Sequence, residues 1–188
     1  MTAGRARILD TAYELFSRHG TRAVGVDRII AEAGTAKMTL YRHFGSKDEL
    51  ALAFLDERER RWVQDWLRPE VERRSDDPRE RLLSIFDVFG EWFALPDFEG
   101  CAFINVMLEL SDPADPVRVA SVEHLSKIRD FLIELASAAG VEDPDAFARQ
   151  WHILMKGSIV SAAEGDLEAA ARAKQLGGLL LAHHGIQV

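Results

Sequence analysis

The sequence predicts an all-α protein of about nine helices, with an N-terminal domain over residues 1–47 and a larger helical domain over residues 48–188. Apolar residues recur at three- and four-residue spacing, and Pro, Gly and Asp-Pro breakers separate the periodic segments. The segments do not show the alternation of polar and apolar residues that is typical of strands. Segments of helical length lie over residues 5–19, 26–33, 37–43, 48–68, 79–94, 101–110, 117–139, 145–164 and 167–184.

The N-terminal domain contains two short helices joined by a sharp turn, the arrangement of a helix-turn-helix. Ile29 and Ala33 fall on one face of the first helix, and Gly34 can adopt the positive φ that a tight turn between helices requires. On the second helix, Leu40 and Phe44 are four residues apart and therefore point inward together. The other side chains of that helix are left on the outside.

The outward side chains of the second helix have the chemistry that the major groove of DNA requires. Arg42 and Lys37 can pair with base edges, whereas threonine and methionine can contact a thymine methyl group. Tyr41, His43 and Lys47 cluster at the end of this helix and the start of the next, where they can reach phosphates. The predicted DNA-binding residues are Lys37, Met38, Thr39, Tyr41, Arg42, His43 and Lys47.

Residues 33–50, with the sequence A-G-T-A-K-M-T-L-Y-R-H-F-G-S-K-D-E-L, closely resemble the signature of the TetR (tetracycline-repressor-like) family of transcriptional regulators. The resemblance extends back through the first helix and covers about residues 5–55. This chain departs from the family pattern at two positions. Gly25 stands where Ser or Thr usually caps the second helix, and Ala36 stands where a hydroxyl often contacts phosphate.

The resemblance implies a ligand-responsive transcriptional regulator, here expected to be a repressor, that binds a palindromic operator in double-stranded DNA as a homodimer. It also implies nine helices, a small-molecule effector bound among the middle helices, and dimer contacts on the final two helices. Some members of the family sense oxidants or electrophiles through a cysteine, so a redox- or electrophile-sensing regulator acting through Cys101 is the alternative. Cys101 follows Gly100 near a helix N-terminus, which favours a thiolate, but free cysteines are most often buried and inert and no Lys or Arg lies close in the sequence, which favours an inert thiol.

Aromatic and other bulky apolar residues of the second domain are candidates for the wall of an effector pocket. A well-filled core of a helix bundle accounts for the same residues, so the sequence leaves both interpretations open. A pocket of this kind suits a largely apolar or aromatic ligand, with Asn105, Glu109, His124 and His152 as polar groups. The candidate ligand-binding residues are Phe86, Phe89, Trp92, Phe93, Phe103, Met107, Trp151 and Met155.

Charge is distributed unevenly along the chain. Residues 1–47 carry eight Lys and Arg against four Asp and Glu, a net charge of +4, whereas the whole chain carries −8 and the remainder therefore −12. A basic end on an acidic protein is expected when only that end approaches DNA, although chance clustering of surface charge gives the same count. No apolar run is long enough to span a bilayer and the N-terminus is unlike a signal peptide, so we expect a cytoplasmic protein with no membrane partner.

The sequence contains no motif of a catalytic, cofactor-binding or metal-binding site. It lacks a glycine-rich phosphate loop and a nucleophile elbow, and its six histidines have no partner at chelating spacing. We therefore expect no enzymatic activity, no catalytic residue, no cofactor and no metal ligand.

Small and apolar residues recur on the last two helical segments and predict an association surface. Small side chains let helix backbones approach closely, so two such helices from each of two chains can form a four-helix interface. An ordinary core within one chain accounts for these residues equally well, and the family resemblance favours the homodimer. The residues concerned are Gly157, Ser161, Leu167, Gly177, Gly178 and Leu181.

Overall fold

The computed structural model describes residues 2–187, and its regular elements in that range are helices. In chain order they are α1 Ala3–His19, α2 Val26–Glu32, α3 Lys37–Phe44, α4 Lys47–Arg58, a π-helical segment Glu59–Leu67, α5 Arg68–Arg74, α6 Pro78–Phe93, α7 Ala102–Glu109, α8 Pro116–Ala138, α9 Pro144–Ala163 and α10 Ala169–His183. Because α4, the π segment and α5 follow one another without a break, they form one long helix, and residues 2–187 contain nine helices. The predicted all-α fold is confirmed. None of the helices in this range is both long and apolar enough to cross a membrane.

Polar side chains mark several of the helix starts. The Ser46 hydroxyl accepts a hydrogen bond from a backbone N–H in the first turn of α4, and Asp77 and Asp143 cap α6 and α9 in the same way. Helices α2 and α3 have no side-chain cap, because Gly25 and Ala36 precede them. The two departures from the family pattern thus leave both helices of the turn motif without a capping oxygen.

The sequence predicted that a helix would end near Pro69, and this prediction was wrong. The chain continues from the π segment into α5, where Pro69 occupies the first turn. Proline removes one backbone hydrogen bond from the continuous helix, and Pro69 lies at the junction of the π segment with α5, where the hydrogen-bond pattern changes. The preceding π-helical turns are a rare conformation that occurs often at functional sites, and here they carry Trp62 and Trp66.

Contacts divide the chain into two compact units, which we call the head unit and the body unit. The head unit comprises the residues up to Arg61 together with Cys101–Leu125, and the body unit comprises Trp62–Gly100 together with the residues from Ser126 onward. Helix α7 and the first part of α8 therefore pack with the N-terminal helices. The periodicity of the sequence did not indicate this association.

The core of the head unit is built around α1, which packs against α2, α3 and α4. Phe16 on α1 and Phe54 on α4 meet edge to face, with ring centroids 5.5 Å apart. Leu40 and Phe44 are only 0% and 6% exposed. The prediction that these two residues point inward is confirmed, and the opposite face of α3 is left to solvent.

In the body unit, α6, α9 and α10 pack against one another. The crossing of α9 and α10 is close, because a Cβ atom on Gly177 would lie 2.8 Å from Cη2 of Trp151. Trp151 in turn contacts Phe86 on α6, with ring centroids 5.4 Å apart. Gly177 and Leu181 are therefore buried within the chain. Assigning these two residues to an association surface was wrong, because the small residue at 177 serves an intrachain crossing.

One titratable side chain, His152 on α9, is buried in the body unit, with 2% of its surface exposed. Burial is the largest cause that lowers the pKa of His152 from 6.5 to about 3, and the positive charges of Lys156 and Arg129 lower it further. The imidazole is therefore neutral in the folded protein at pH 7.

We expect the free energy of unfolding to decrease as the pH falls from 7 to 5. Below pH 6.5 the unfolded chain binds a proton at His152, whereas the folded protein excludes this proton until about pH 3. The resulting loss of stability at pH 5 is about 2 kcal/mol. Urea unfolding at both pH values measures it, and His152→Leu is the matched variant without the titrating group. Equal pH dependence in the variant and the wild type would contradict this assignment.

Candidate functional site

Glycines set both ends of helix α3. Gly34, in the turn after α2, has φ +60°, and Gly45, just after α3, has φ +69°. This left-handed backbone conformation strains residues that carry a Cβ atom. The prediction that Gly34 supplies a positive-φ turn is therefore confirmed, and the two turns hold the eight-residue helix between them.

The outward face of α3 collects most of the predicted DNA-binding side chains. Lys37, Met38, Tyr41 and Arg42 are exposed, Met38 at 78%, whereas Thr39 and His43 are half-buried. The seventh residue, Lys47, is half-buried in the first turn of α4. The fold thus presents one short helix with a cation, an apolar tip and hydrogen-bonding groups side by side, which is a composition that can contact both phosphates and base edges.

Lys37 is engaged with an acidic residue of the neighbouring helix. Its Nζ lies 3.0 Å from Oδ1 of Asp27 on α2, and both side chains are more than half exposed. The hydrogen bond to Asp27 is the largest cause of a raised pKa of Lys37, so the ammonium group remains charged. An exposed pair of this kind contributes little to stability, and Lys37 can exchange Asp27 for DNA at small cost.

The start of α1 lies beside the end of α3. A Cβ atom on Gly4 would be 3.5 Å from Nε2 of His43, and the guanidinium of Arg5 sits 4.7 Å above the ring of Phe44. Through this cation–π contact, the charged Arg5 side chain covers Phe44, one of the two buried residues that hold α3 in place. The sequence pattern did not reveal it, because the two segments are almost forty residues apart.

Lys47 lies against the loop between α1 and α2. Its Nζ is 3.5 Å from the backbone carbonyl oxygen of Arg22, and it borders a surface cavity of about 260 Å³ that Thr21 and Asp48 also line. A contact this long holds the side chain weakly. The Lys47 side chain is therefore able to rotate away from this carbonyl oxygen.

The body unit contains a continuous group of aromatic rings, which we call the tryptophan cluster. Trp92 lies at its centre and contacts the five other rings, and the Trp62 ring centroid is 5.0 Å from that of Trp92 and 5.5 Å from that of Trp66. The indole N–H of Trp62 is buried and has no hydrogen-bond acceptor within residues 2–187. Such a donor is able to orient a ligand that carries an acceptor. The members of the cluster are Trp62, Trp66, Phe89, Trp92, Phe93 and Phe98.

The structure brings together only part of the predicted ligand-binding set. Phe89, Trp92 and Phe93 belong to the tryptophan cluster, while Phe86 packs on Trp151 of α9 in the same unit. Met155, one turn after Trp151, is also buried in the body unit. Phe103 and Met107 belong instead to the head unit, where Phe103 stacks on His124.

Sequence reasoning missed Trp62 and Trp66 as members of this group. Their four-residue spacing places two tryptophans on one side of a helix, and this signal was available in the sequence. The predicted ligand-binding set contains no residue of the segment 48–68, in which both tryptophans lie. Two of the polar groups predicted for the effector pocket have other partners in the structure. The Glu109 carboxylate accepts a hydrogen bond from the loop after α1, and His124 Nε2 lies 3.3 Å from Oδ1 of Asp56.

Two family models match this chain. The model for bacterial regulatory proteins of the tetR family matches residues 8–54, and the model for tetracyclin repressor-like C-terminal domains matches residues 78–176. The HTH-type transcriptional regulator YjdC of Escherichia coli is 22% identical over 175 residues, which cover 89% of this chain and 90% of that protein.

Solved structures of similar proteins cover nearly the whole chain. The TetR-family transcriptional regulator SCO4454 from Streptomyces coelicolor is 33% identical, with a TM-score of 0.84 over 96% of this chain and 95% of its own. A putative tetr-transcriptional regulator (sav143) from Streptomyces avermitilis is 32% identical, with a TM-score of 0.86 over 99% of this chain and 100% of its own.

Replacing Arg42 by Ala should relax the preference for one defined base pair. An exposed guanidinium on α3 can form two hydrogen bonds to a guanine edge, so its loss should reduce discrimination at that position by about 1–3 kcal/mol. Affinities for a panel of operators with single base changes measure this. Arg18→Ala removes an exposed arginine near the end of α1 and serves as the control. An unchanged base preference in Arg42→Ala would remove Arg42 from the base-reading set.

Replacing Lys47 by Ala should weaken binding to all DNA sequences alike. A lysine that contacts phosphate contributes to affinity through counterion release and carries no sequence information. The slope of log K against log salt should become shallower by about 0.9 for each phosphate contact that is lost. A titration of binding against salt concentration gives this slope. A loss restricted to one base position would instead make Lys47 a base-reading residue.

Proposed function

Because the chain belongs to the TetR family of bacterial transcriptional regulators, we propose that it is a ligand-responsive repressor that binds a palindromic operator as a homodimer and is released by a small apolar or aromatic effector. The observation that carries this proposal is the exposed face of α3, with Lys37, Met38, Tyr41 and Arg42 held outward by the buried Leu40 and Phe44. We assign DNA contact to residues 1–47, and effector binding and dimerisation to residues 48–188.

The proposed dimer surface consists of the outer faces of α9 and α10. Ile153 and Val160 on α9 are 64% and 49% exposed, and Leu179 on α10 is 64% exposed. Gly157 and Gly178 have open space where a Cβ atom would be. Two-fold pairing of these faces would cover the apolar side chains, and the glycines would permit close backbone approach. Such an interface should exceed about 1,000 Å².

A dimer supplies two copies of α3, which matches the symmetry of a palindromic operator. Helix-turn-helix dimers bind half-sites about one turn of DNA apart, so each α3 would enter a successive major groove. A ligand can release such a protein only if it binds a conformation with misplaced α3 helices more tightly than the DNA-bound conformation. We propose that the effector exerts this preference from the body unit.

The tryptophan cluster supports the proposed effector class. Its six rings pack into one apolar group in which Phe89 and Trp92 are buried, and the buried Trp62 N–H offers one directional hydrogen bond. This combination favours a planar or aromatic molecule that carries an acceptor over a charged one. The predicted ligand-binding residues of α6 and α9 remain our candidates, and Trp62 and Trp66 join them.

The alternative is a regulator that senses oxidants or electrophiles through Cys101. Cys101 directly precedes α7 as its N-cap residue and is half-buried, and a helix N-terminus favours the thiolate form. Alkylation with iodoacetamide distinguishes the two regulators. Operator affinity that falls on alkylation in the wild type, and is unaffected in Cys101→Ser, supports thiol sensing; unchanged affinity on alkylation counts against it.

Selection of fragments from a random DNA library tests the proposed function directly. We expect enrichment of a palindromic sequence whose half-sites are about one helical turn apart. Repeating the selection with planar aromatic compounds should deplete that sequence when the compound is an effector. Enrichment of a non-palindromic site, or of no site, would contradict the proposed repressor.

Replacing Gly157 by Arg should convert the protein to a monomer and greatly weaken operator binding. The long charged side chain would stand between Ile153 and Val160 on the proposed interface. The fold of one chain should tolerate the change, because the position is open and arginine has a higher helix propensity than glycine. Light scattering gives the oligomeric state.

Ser137→Arg, an exposed position on α8 outside the proposed interface, is the control for Gly157→Arg. This variant should have the same mass in solution and the same operator affinity as the wild type. Gly157→Arg that remains dimeric would show that the interface lies elsewhere.

A further inference from the structure

Glu109, the last residue of α7, holds the loop between α1 and α2 with its carboxylate. Oε2 accepts hydrogen bonds from the backbone N–H of Thr21 at 2.9 Å and from the Thr21 hydroxyl at 2.8 Å. Oε1 accepts from the backbone N–H of Arg22 at 2.8 Å. The Arg22 guanidinium also donates to the backbone carbonyl oxygen of Glu109 at 3.4 Å. One carboxylate thus binds three donors of two consecutive residues, 87 and 88 positions away in the chain.

The shape of the loop is adapted to this carboxylate. Gly20 has φ +78°, and a Cβ atom on it would lie 2.6 Å from Oε1 of Glu109. A larger residue there would be strained by its backbone conformation and would displace the carboxylate. Thr21 is 5% exposed, so its hydroxyl forms its hydrogen bond to Glu109 in a largely dry environment. Close fit and burial together make this a specific contact.

The helix end that carries Glu109 is itself fixed. Nη1 of Arg118, on α8, donates to the carbonyl oxygens of Met107 at 2.6 Å and of Leu110 at 2.7 Å. Carbonyl groups at a helix C-terminus lack partners within the helix, and a cation there also interacts favourably with the helix dipole. Arg118 therefore holds the C-terminal end of α7, while the carboxylate of Glu109 binds the loop between α1 and α2.

We propose that Glu109 is a positioning residue for DNA binding, which sets the orientation of the helix-turn-helix through the loop at Thr21 and Arg22. The loop leads directly into α2, and α2 packs against α3. A change in the position of α7 is therefore transmitted to α3 through the Glu109 carboxylate. The proposal rests on the proposed DNA-binding function and adds to it a residue of α7, within the head unit, that sets the orientation of α3.

The replacement of Glu109 by Gln separates a loss of positioning from a direct effect of charge, because the two change DNA affinity in opposite directions. Replacing Glu109 by Gln removes a negative charge from a DNA-binding protein, and electrostatics alone would then strengthen its binding to phosphates. The amide of glutamine also places an N–H₂ group against N–H donors, so at least one hydrogen bond is lost. A loss of affinity therefore requires a loss of positioning, which reduces the fraction of molecules in the binding-competent orientation.

The experiment compares Glu109→Gln, Thr21→Val and the control Glu123→Gln. Glu123 is exposed on α8 in the same unit, and its replacement makes the same change in net charge. We expect Glu109→Gln to bind the selected operator about tenfold or more weakly, because hydrogen bonds to a charged group are lost. Thr21→Val should show a smaller loss, and Glu123→Gln should bind equally or more tightly.

Two further readouts separate positioning from direct contact and from general destabilisation. The salt slope of Glu109→Gln should equal that of the wild type, because no phosphate contact is removed. Amide hydrogen exchange should accelerate at Thr21 and Arg22, while the amides in the middle of α1 keep their protection. The double variant Glu109→Gln/Thr21→Val should be less impaired than the sum of the single variants, because the two residues share a contact.

Wild-type affinity or tighter binding in Glu109→Gln, or unchanged exchange at Thr21 and Arg22, would overturn the proposal. Global loss of helix protection in that variant, with wild-type behaviour of Thr21→Val, would also overturn it. The exchange measurement needs no DNA. A wild-type protein that selects no operator therefore rejects the proposed function, whereas the exchange rates report on the Glu109 contact separately.

Discussion

A helix of eight residues does not persist in water by itself, so the surface that we propose for DNA binding depends on how α3 is anchored. Leu40 and Phe44 supply the anchor, since both side chains are almost completely buried in the head unit. Their burial fixes the rotation of α3 about its own axis, and the rotation decides which side chains face outward. The guanidinium of Arg5 on Phe44 closes the same contact from the side of α1. The apolar anchor therefore determines the polar surface.

Ion pairs on the head unit differ in how readily their members can change partner. Lys37 with Asp27 is exposed, and such pairs contribute little to stability. Glu57, by contrast, is mostly buried and binds both Arg60 and Arg61, which lowers its pKa to about 2. The first pair can open towards DNA, whereas the second holds the end of α4.

The parts of the fold that the sequence predicted are those that short-range patterns determine. The spacing of Leu40 and Phe44, and the need for a positive φ at Gly34, are local properties, and both are confirmed. The contact of Glu109 with Thr21 and Arg22 is different, because its partners are almost ninety residues apart, and the sequence suggested Glu109 as a polar group of the effector pocket instead. A long-range hydrogen bond leaves no periodic signal, so only the structure reveals it.

Small residues illustrate the same limit. Gly177 and Gly178 are adjacent and look alike in the sequence, yet Gly177 meets Trp151 inside the chain and Gly178 faces open space. A turn of 100° per residue separates them, and the phase of a helix against its neighbours is set by tertiary packing. For the last two helices the segments were predicted, but which of their faces would be covered within the chain was not.

All four tryptophans of the protein, at positions 62, 66, 92 and 151, lie in the body unit. The tryptophan fluorescence of the protein therefore originates entirely in the part of the chain that we assign to the effector, whereas α3 carries a tyrosine, Tyr41, and no tryptophan. Trp62, Trp66 and Trp92 are close enough to exchange excitation energy, so quenching of one indole lowers the fluorescence intensity of all three. A change in tryptophan fluorescence therefore reports on ligand binding in the body unit and distinguishes it from contact between α3 and DNA.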